Sequence, residues 1–184
     1  MNTNVNNPIN WAKWIERKLI NMPVKLRESQ EEVLTQLGEQ DKAVVRSTRQ
    51  RGLTTILLLD LAKFAILNSN SKIALVNPNN LLNEMAHSQL MQIFQPEDIV
   101  RANRSAISLT NGSTILFFNE RTLNTRVRGL TFNAIYTDTI RTNFDALLYC
   151  HFNGQRRVFG FSEDVQNLIT VQFDTSQYRL LQLG

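Results

Sequence analysis

The sequence predicts a three-layer α/β fold with a mainly parallel central sheet and an inserted or edge β-hairpin. Three observations carry this expectation. From residue 42 onward, short apolar runs alternate with helical patterns in the order strand, loop, helix, strand, helix, as expected of strands joined by helical crossovers. In "SAISLTNGSTILFF", Asn111-Gly112 separates two strand-like runs, the combination that most strongly marks a two-residue hairpin. A late apolar strand, "FNAIYTD", ends in an acid. At 184 residues, 42% hydrophobic and 20% charged, the chain is long enough for one domain with a sizeable core.

Taken in order, "NWAKWIERKLI" places Trp11, Trp14, Ile15 and Leu19 at helical spacing, so residues 1–25 are read as an N-terminal helix with both tryptophans buried. Residues 26–184 are read as a single domain. A second helix over 27–37 ends near Gly38, a suitable neighbour for a helix C-cap. "KAVVR" (42–46) is a short strand, and "TTILLLDLAKFAIL" a strongly apolar helix. "KIALV" (72–76) is the next strand, and "NNLLNEMAHSQLMQIF" an amphipathic helix with Leu82, Met85, Leu90 and Met91 near one face. After the hairpin and "FNAIYTD" come a helix near 143–150, a strand at "RRVFGF" and a last strand at "ITVQF".

Composition narrows the function. Cys150 is the lone cysteine, which excludes an intramolecular disulfide framework and suits a reducing cytoplasm. His87, His151 and Cys150 have no metal-ligand spacing. No segment is long and apolar enough to span a membrane, and "MNTNVNNPINW" is too polar for a signal peptide. The net charge is +4, and its distribution is uneven. Between residues 42 and 72, six basic residues face one acid, Asp60; between 101 and 157, eight arginines face Glu120, Asp138 and Asp145. Such a bias suits a phosphate-rich partner, nucleotide or nucleic acid, or else a solvated basic surface.

The stretch "RSTRQRGLTT" (46–55) resembles a phosphate-binding loop. Such a loop ends in Gly-Lys-Ser/Thr: backbone N–H groups wrap the phosphates, the lysine neutralises them, and the hydroxyl binds Mg²⁺. Ser47 stands at the first glycine's place, Gly52 at the second and Thr54 at the metal-ligand position, but Leu53 replaces the lysine. Losing such a charge-assisted bond forfeits roughly 1.5–3 kcal/mol. Arg46, Arg49 and Arg51 lie in or beside the loop, and a guanidinium suits phosphate geometry. Asp138, ending its strand, is placed to present a carboxylate to Mg²⁺. Its successor is Thr139, where an ATPase has a glutamate that activates water, and a threonine hydroxyl is no base at neutral pH. In parallel sheets ligands sit at the carboxyl ends of strands, and loop 47–54 and Asp138 both fall there. The fold class is therefore P-loop NTPase-like.

These motifs, in this order, resemble the ATPase domain of large terminase subunits, the DNA-packaging motors of tailed phages. "LRESQEEVL" looks like that family's "LRPYQ" box, with Gln30 at the place that reads adenine. "STRQRGLTT" is similar to its "SRQxGKTT" loop, with Arg49, Gln50, Gly52, Thr54 and Thr55 matching. "KIALVNPNNLLNEMAHSQL" is similar to the strand and helix that follow, and "LTNGSTILFFN" resembles the "NGSxI" hairpin. "RVRGLTFNAIYTDTI" resembles the "RGxxxxxxxxDE" stretch, whereas Ser162-Glu163-Asp164 is a poor match to the coupling motif. The likeness spans residues 26–164.

The resemblance implies ATP and Mg²⁺ as cofactors, with Thr54 and Asp138 on the metal. It also implies DNA and phage packaging proteins as partners, assembly into an oligomer, and the host cytoplasm as location. Some family members carry their basic residue early in the loop, so Arg46 or Arg49 is a candidate substitute for the lysine. The family's C-terminal nuclease domain, built on clustered carboxylates, has no counterpart expected here, since 165–184 holds only Asp174 as an acid. Three readings follow. Without lysine and glutamate, the chain is a catalytically impaired nucleotide- or partner-binding protein linked to packaging. Alternatively it is a slow ATPase with arginine for lysine, completed by a partner and with Arg126 or Arg128 acting on a neighbour's nucleotide. Third, it is a non-catalytic DNA-binding α/β protein in which the stretch "NERTLNTRVRG", with Arg126 and Arg128, contacts DNA; where the likeness is only convergent pattern, 47–54 is an ordinary turn and Arg121, Arg126 and Arg128 a solvated loop.

Overall fold

The computed structural model describes residues 26–48, 51–127, 129–138, 151–162 and 177–184. The expected N-terminal helix, the helix near 143–150 and the strand at "ITVQF" lie outside them, as do Arg49, Gln50, Arg128, Thr139 and Cys150. The elements are α1 (Glu28–Gly38), β1 (Lys42–Ser47), α2 (Leu53–Leu67), β2 (Lys72–Asn77), α3 (Asn80–Ile93), β3 (Ile99–Asn103), β4 (Ala106–Leu109), β5 (Thr114–Asn119), the single-turn α4 (Leu123–Arg126), β6 (Thr131–Asp138), β7 (His151–Ser162) and β8 (Arg179–Leu183).

These strands form one eight-stranded sheet in the order β3-β4-β5-β2-β6-β7-β1-β8. Every pairing from β5 to β8 is parallel, and only β3–β4 and β4–β5 are antiparallel. The expected hairpin is β4–β5. Its turn places Gly112 at φ +85°, where an added Cβ would lie 2.1 Å from the Asn70 side chain. Two strands are additions to the sequence reading. β3 extends the hairpin at one edge, and β8 pairs with β1 at the other.

Burial follows strand alternation. Ala43, Val45, Ile73, Leu75, Tyr136 and Val158 face α1, α2 and α3, while Val44, Ala74, Val76, Ile135, Phe159 and Phe161 face the other side, where Leu123 and Val127 pack. α2 lies at the centre and is buried from Ile56 to Ala62, which explains its apolar run. α3 corrects the sequence reading: Met85 and Met91 are exposed, and its inward stripe is Asn83, Ala86 and Leu90. The inward polar residue is held by a buried bond from Asn77 Nδ2 to Asn83 Oδ1 at 2.8 Å, so apolar spacing alone misplaced the face.

Candidate functional site

The loop between β1 and α2 leaves the carboxyl edge of the sheet. β1 ends at buried Ser47, whose hydroxyl donates to the carbonyl of Thr48 at 2.8 Å. Gly52, at φ +83°, turns the chain into α2, and its carbonyl accepts the Ile56 N–H at 3.1 Å. A Cβ at Gly52 would stand 2.2 Å from Gln30 Nε2. That close approach comes from Gln30 bracing the loop. Its Nε2 donates to the carbonyl of Arg51 at 2.9 Å, while its Oε1 accepts the Arg27 N–H at 2.9 Å and closes the start of α1. Both ends of the amide are therefore engaged within the chain. Arg51 itself is exposed, with Nε donating to Thr48 Oγ1 at 3.2 Å.

From the first turn of α2, the Thr54 hydroxyl donates to Asp138 Oδ2 at 2.5 Å. The two residues are 84 positions apart in sequence. The sheet brings them together: Asp138 pairs with Gly160 on β7, Gly160 pairs with Val45 on β1, and Ser47 follows two residues later. Asp138 is buried and Thr54 half-buried. A hydroxyl and a carboxylate side by side are hard oxygen donors, the kind Mg²⁺ takes in ones and twos while phosphate oxygens and water fill its remaining positions. The residues fit that ion, which when bound would neutralise charge on a phosphoryl group. Among the described residues no three His, Cys, Asp or Glu side chains gather into a larger cluster.

Leu53 occupies the lysine's place and packs inward. Both of its Cδ atoms lie 3.2 Å from where a Cβ on Gly160 would stand, and Leu57 Cδ1 lies 2.7 Å from it. The start of α2 thus rests directly on β7, with leucine joined to the core. Arg46 lies elsewhere: alternation along β1 puts it with Val44, on the face away from α2 and Thr54. Thr55 is half-buried in the same turn as Thr54. Arg126, exposed on α4, has its guanidinium 6.0 Å from the centroid of the Phe118 ring on β5, and β2 separates β5 from β6. The structure therefore gathers Gln30, Gly52, Thr54 and Asp138, and it leaves Arg46 and Arg126 apart from them.

A second polar cluster escaped the sequence reading. Asp60 in α2 accepts from Arg156 NH2 at 2.5 Å, Arg156 Nε at 3.1 Å and the Tyr136 hydroxyl at 2.8 Å, all buried. Arg156 also donates to the carbonyls of Gln40 and Leu37 at 2.9 and 3.1 Å. Burial, then Asp60, push the Tyr136 hydroxyl well above its ordinary value. Burial opposes charge on Arg156, but Tyr136 and Asp60 outweigh it and raise its pKa. Asp60, the lone acid inside an apolar helix, was the available signal. The cluster ties α2 to β6 two residues before Asp138, so it helps set the level at which Thr54 meets Asp138.

No protein-family model matches the sequence, and no curated protein matches it significantly. Solved structures do. The large terminase of a thermophilic bacteriophage is similar with a TM-score of 0.66 and 12% identity, over 86% of this chain and 46% of that one. The large terminase of bacteriophage HK97 gives 0.69 and 14%, over 87% and 38%. This is the fold of large terminases. It extends to the UvsW helicase of bacteriophage T4, at 0.65 and 12% over 94% of this chain and 66% of that one. The chain spans less than half the length of the two terminases. The terminase of the thermophilic phage has been solved with ATP-γ-S and with ADP.

Proposed function

We propose that this chain is a phage terminase-type ATPase domain that keeps the cation end of its nucleotide site and lacks the groups that make hydrolysis fast. It serves DNA packaging in the host cytoplasm as a nucleotide- or partner-binding protein. The contact between Thr54 and Asp138 carries this reading, because it unites the two hard-oxygen ligands that an Mg²⁺-nucleotide needs. Leu53 on Gly160 supports weak phosphate binding: apolar carbon stands where a charge would be. Thr139 supports slow or absent turnover, since nothing at that position removes a proton from water.

Calorimetric titration with ATP and Mg²⁺ tests the reading. Weak saturable binding is expected, lost in Asp138→Ala and strengthened about 10- to 100-fold in Leu53→Lys, the return of a charge-assisted bond. No binding in either the native chain or Leu53→Lys would overturn the nucleotide reading and leave the fold as a docking surface. The slow-ATPase alternative draws support from Arg51, exposed in the loop, whose guanidinium has only Thr48 Oγ1 as a hydrogen-bond partner among the described residues. It requires Mg²⁺-dependent turnover that Arg51→Ala abolishes.

A further inference from the structure

A cleft of about 310 Å³ opens at the opposite, amino edge of the sheet, between the end of α1, the start of β1 and the second half of α2. That volume lies at the lower end of small-molecule pockets, which run from about 300 to 1,000 Å³. Its charged lining is balanced, with Lys63 and Arg156 against Asp41 and Asp60. Phe64 and Leu67 supply its apolar part.

The four charges are unequally satisfied within the chain. Asp60 Oδ2 accepts from Arg156 and from the Tyr136 hydroxyl, while Oδ1 has no hydrogen-bond partner among the described residues. Arg156 uses both N–H groups of NH2 on Leu37 and Asp60 and one of NH1 on Gln40, so one NH1 hydrogen is left over. Lys63 is half-buried and has no hydrogen bond or ion pair to any described residue. Burial pulls its pKa below the ordinary 10.5; Asp60 opposes the pull and Arg156 adds to it. An acceptor in the cleft would relieve that cost. Asp41 is exposed, and its carboxylate also has no partner among the described residues.

We propose that this cleft binds a zwitterion, a free α-amino acid with an apolar side chain. Its carboxylate accepts from Lys63 and the spare NH1 hydrogen of Arg156. Its ammonium donates to Asp41 and to Asp60 Oδ1, and its side chain lies against Phe64 and Leu67. The balance of charge argues for this class. A plain anion meets two carboxylates, and a plain cation meets an ammonium and a guanidinium. An uncharged apolar molecule would leave the spare donors and acceptors unpaired. Only a ligand carrying both charges satisfies all of them. Lys63 lies about 13 Å along α2 from Thr54, so the site is separate from the nucleotide site and does not depend on nucleotide binding there.

The test is calorimetric titration of the full chain with L-phenylalanine, beside N-acetyl-L-phenylalanine and L-phenylalaninamide, which each lack one of its charges. L-phenylalanine should bind saturably, and each single-charge compound at least about tenfold more weakly. Lys63→Met keeps the apolar stem but removes the ammonium, so it should weaken L-phenylalanine at least about tenfold. Asp41→Asn removes an exposed partner and should weaken it about two- to fivefold. Circular dichroism melts verify that both variants fold. No saturable binding, or an affinity unchanged in Lys63→Met, overturns the proposal. Equal binding of N-acetyl-L-phenylalanine would assign the cleft to a simple carboxylate, and equal binding of L-phenylalaninamide to a simple cation. Either result overturns the zwitterion on the native chain alone.

Discussion

Gly52 and Asp60 each hold a place that few residues can fill. The left-handed backbone at Gly52 costs an L side chain about 1–2 kcal/mol, and a Cβ there would also meet Gln30 Nε2 at 2.2 Å. Gly52→Ala is therefore expected to lower stability by at least that amount, read as a lower urea midpoint. It should also loosen Gln30 from Arg51. Asp60 is the only acid bonded to the buried guanidinium of Arg156 among the described residues. Removing it in Asp60→Ala leaves an uncompensated charge and should cost about 3–5 kcal/mol. A double replacement, Asp60→Leu with Arg156→Met, removes both charges and should cost far less. Equilibrium denaturation of the three proteins checks this, and equal losses in the single and double variants would refute the charge account.

Between elements, α2 fits closely on β7. Gly160 lets Leu53 and Leu57 settle onto the sheet, and any side chain there pushes against Leu57 Cδ1 at 2.7 Å. Gly160→Ala should destabilise by about 1–3 kcal/mol through overpacking. Because it lifts the helix that carries Thr54 from the strand beside Asp138, it should also weaken Mg²⁺-ATP binding more than an equally destabilising change in α3. Asn79→Ala provides that control: it removes the side-chain cap on the Leu82 N–H at 3.0 Å and should cost about 1 kcal/mol with nucleotide binding unchanged. Calorimetry beside thermal melts separates the two effects.

For the molecule as a whole, stability should respond to alkali. The Tyr136 hydroxyl is held above its ordinary value of 10.0, first by burial and then by Asp60. It stays protonated in the folded chain at pH values where the unfolded chain ionises. The contribution is full below pH 10.0 and is lost as pH rises above it towards the folded value. Unfolding free energy should therefore fall through the alkaline range, and fall less in Tyr136→Phe. A denaturation series at rising pH measures it.

At this scale it is also plain how much was legible in advance. Apolar runs of strand and helix length, with Asn111-Gly112 between two of them, determine the α/β class, the hairpin and the position of most elements, because local backbone preference and apolar period are written in neighbouring residues. The loop and Asp138 were legible too, since strand ends in a parallel sheet share one edge. Pairing across the chain was not. Thr54 meets Asp138, Asp60 meets Arg156, and Asp41, Lys63 and Arg156 share one cleft only once the sheet order is set. β3 is not legible because its residues are nearly all exposed; β8 does carry an alternating apolar signal in Leu181 and Leu183, but its pairing with β1 is set only by the sheet. Leu53 had only its identity in the sequence. That it lies on Gly160, and so belongs to the core, was decided by tertiary packing, which alone determines what a side chain touches.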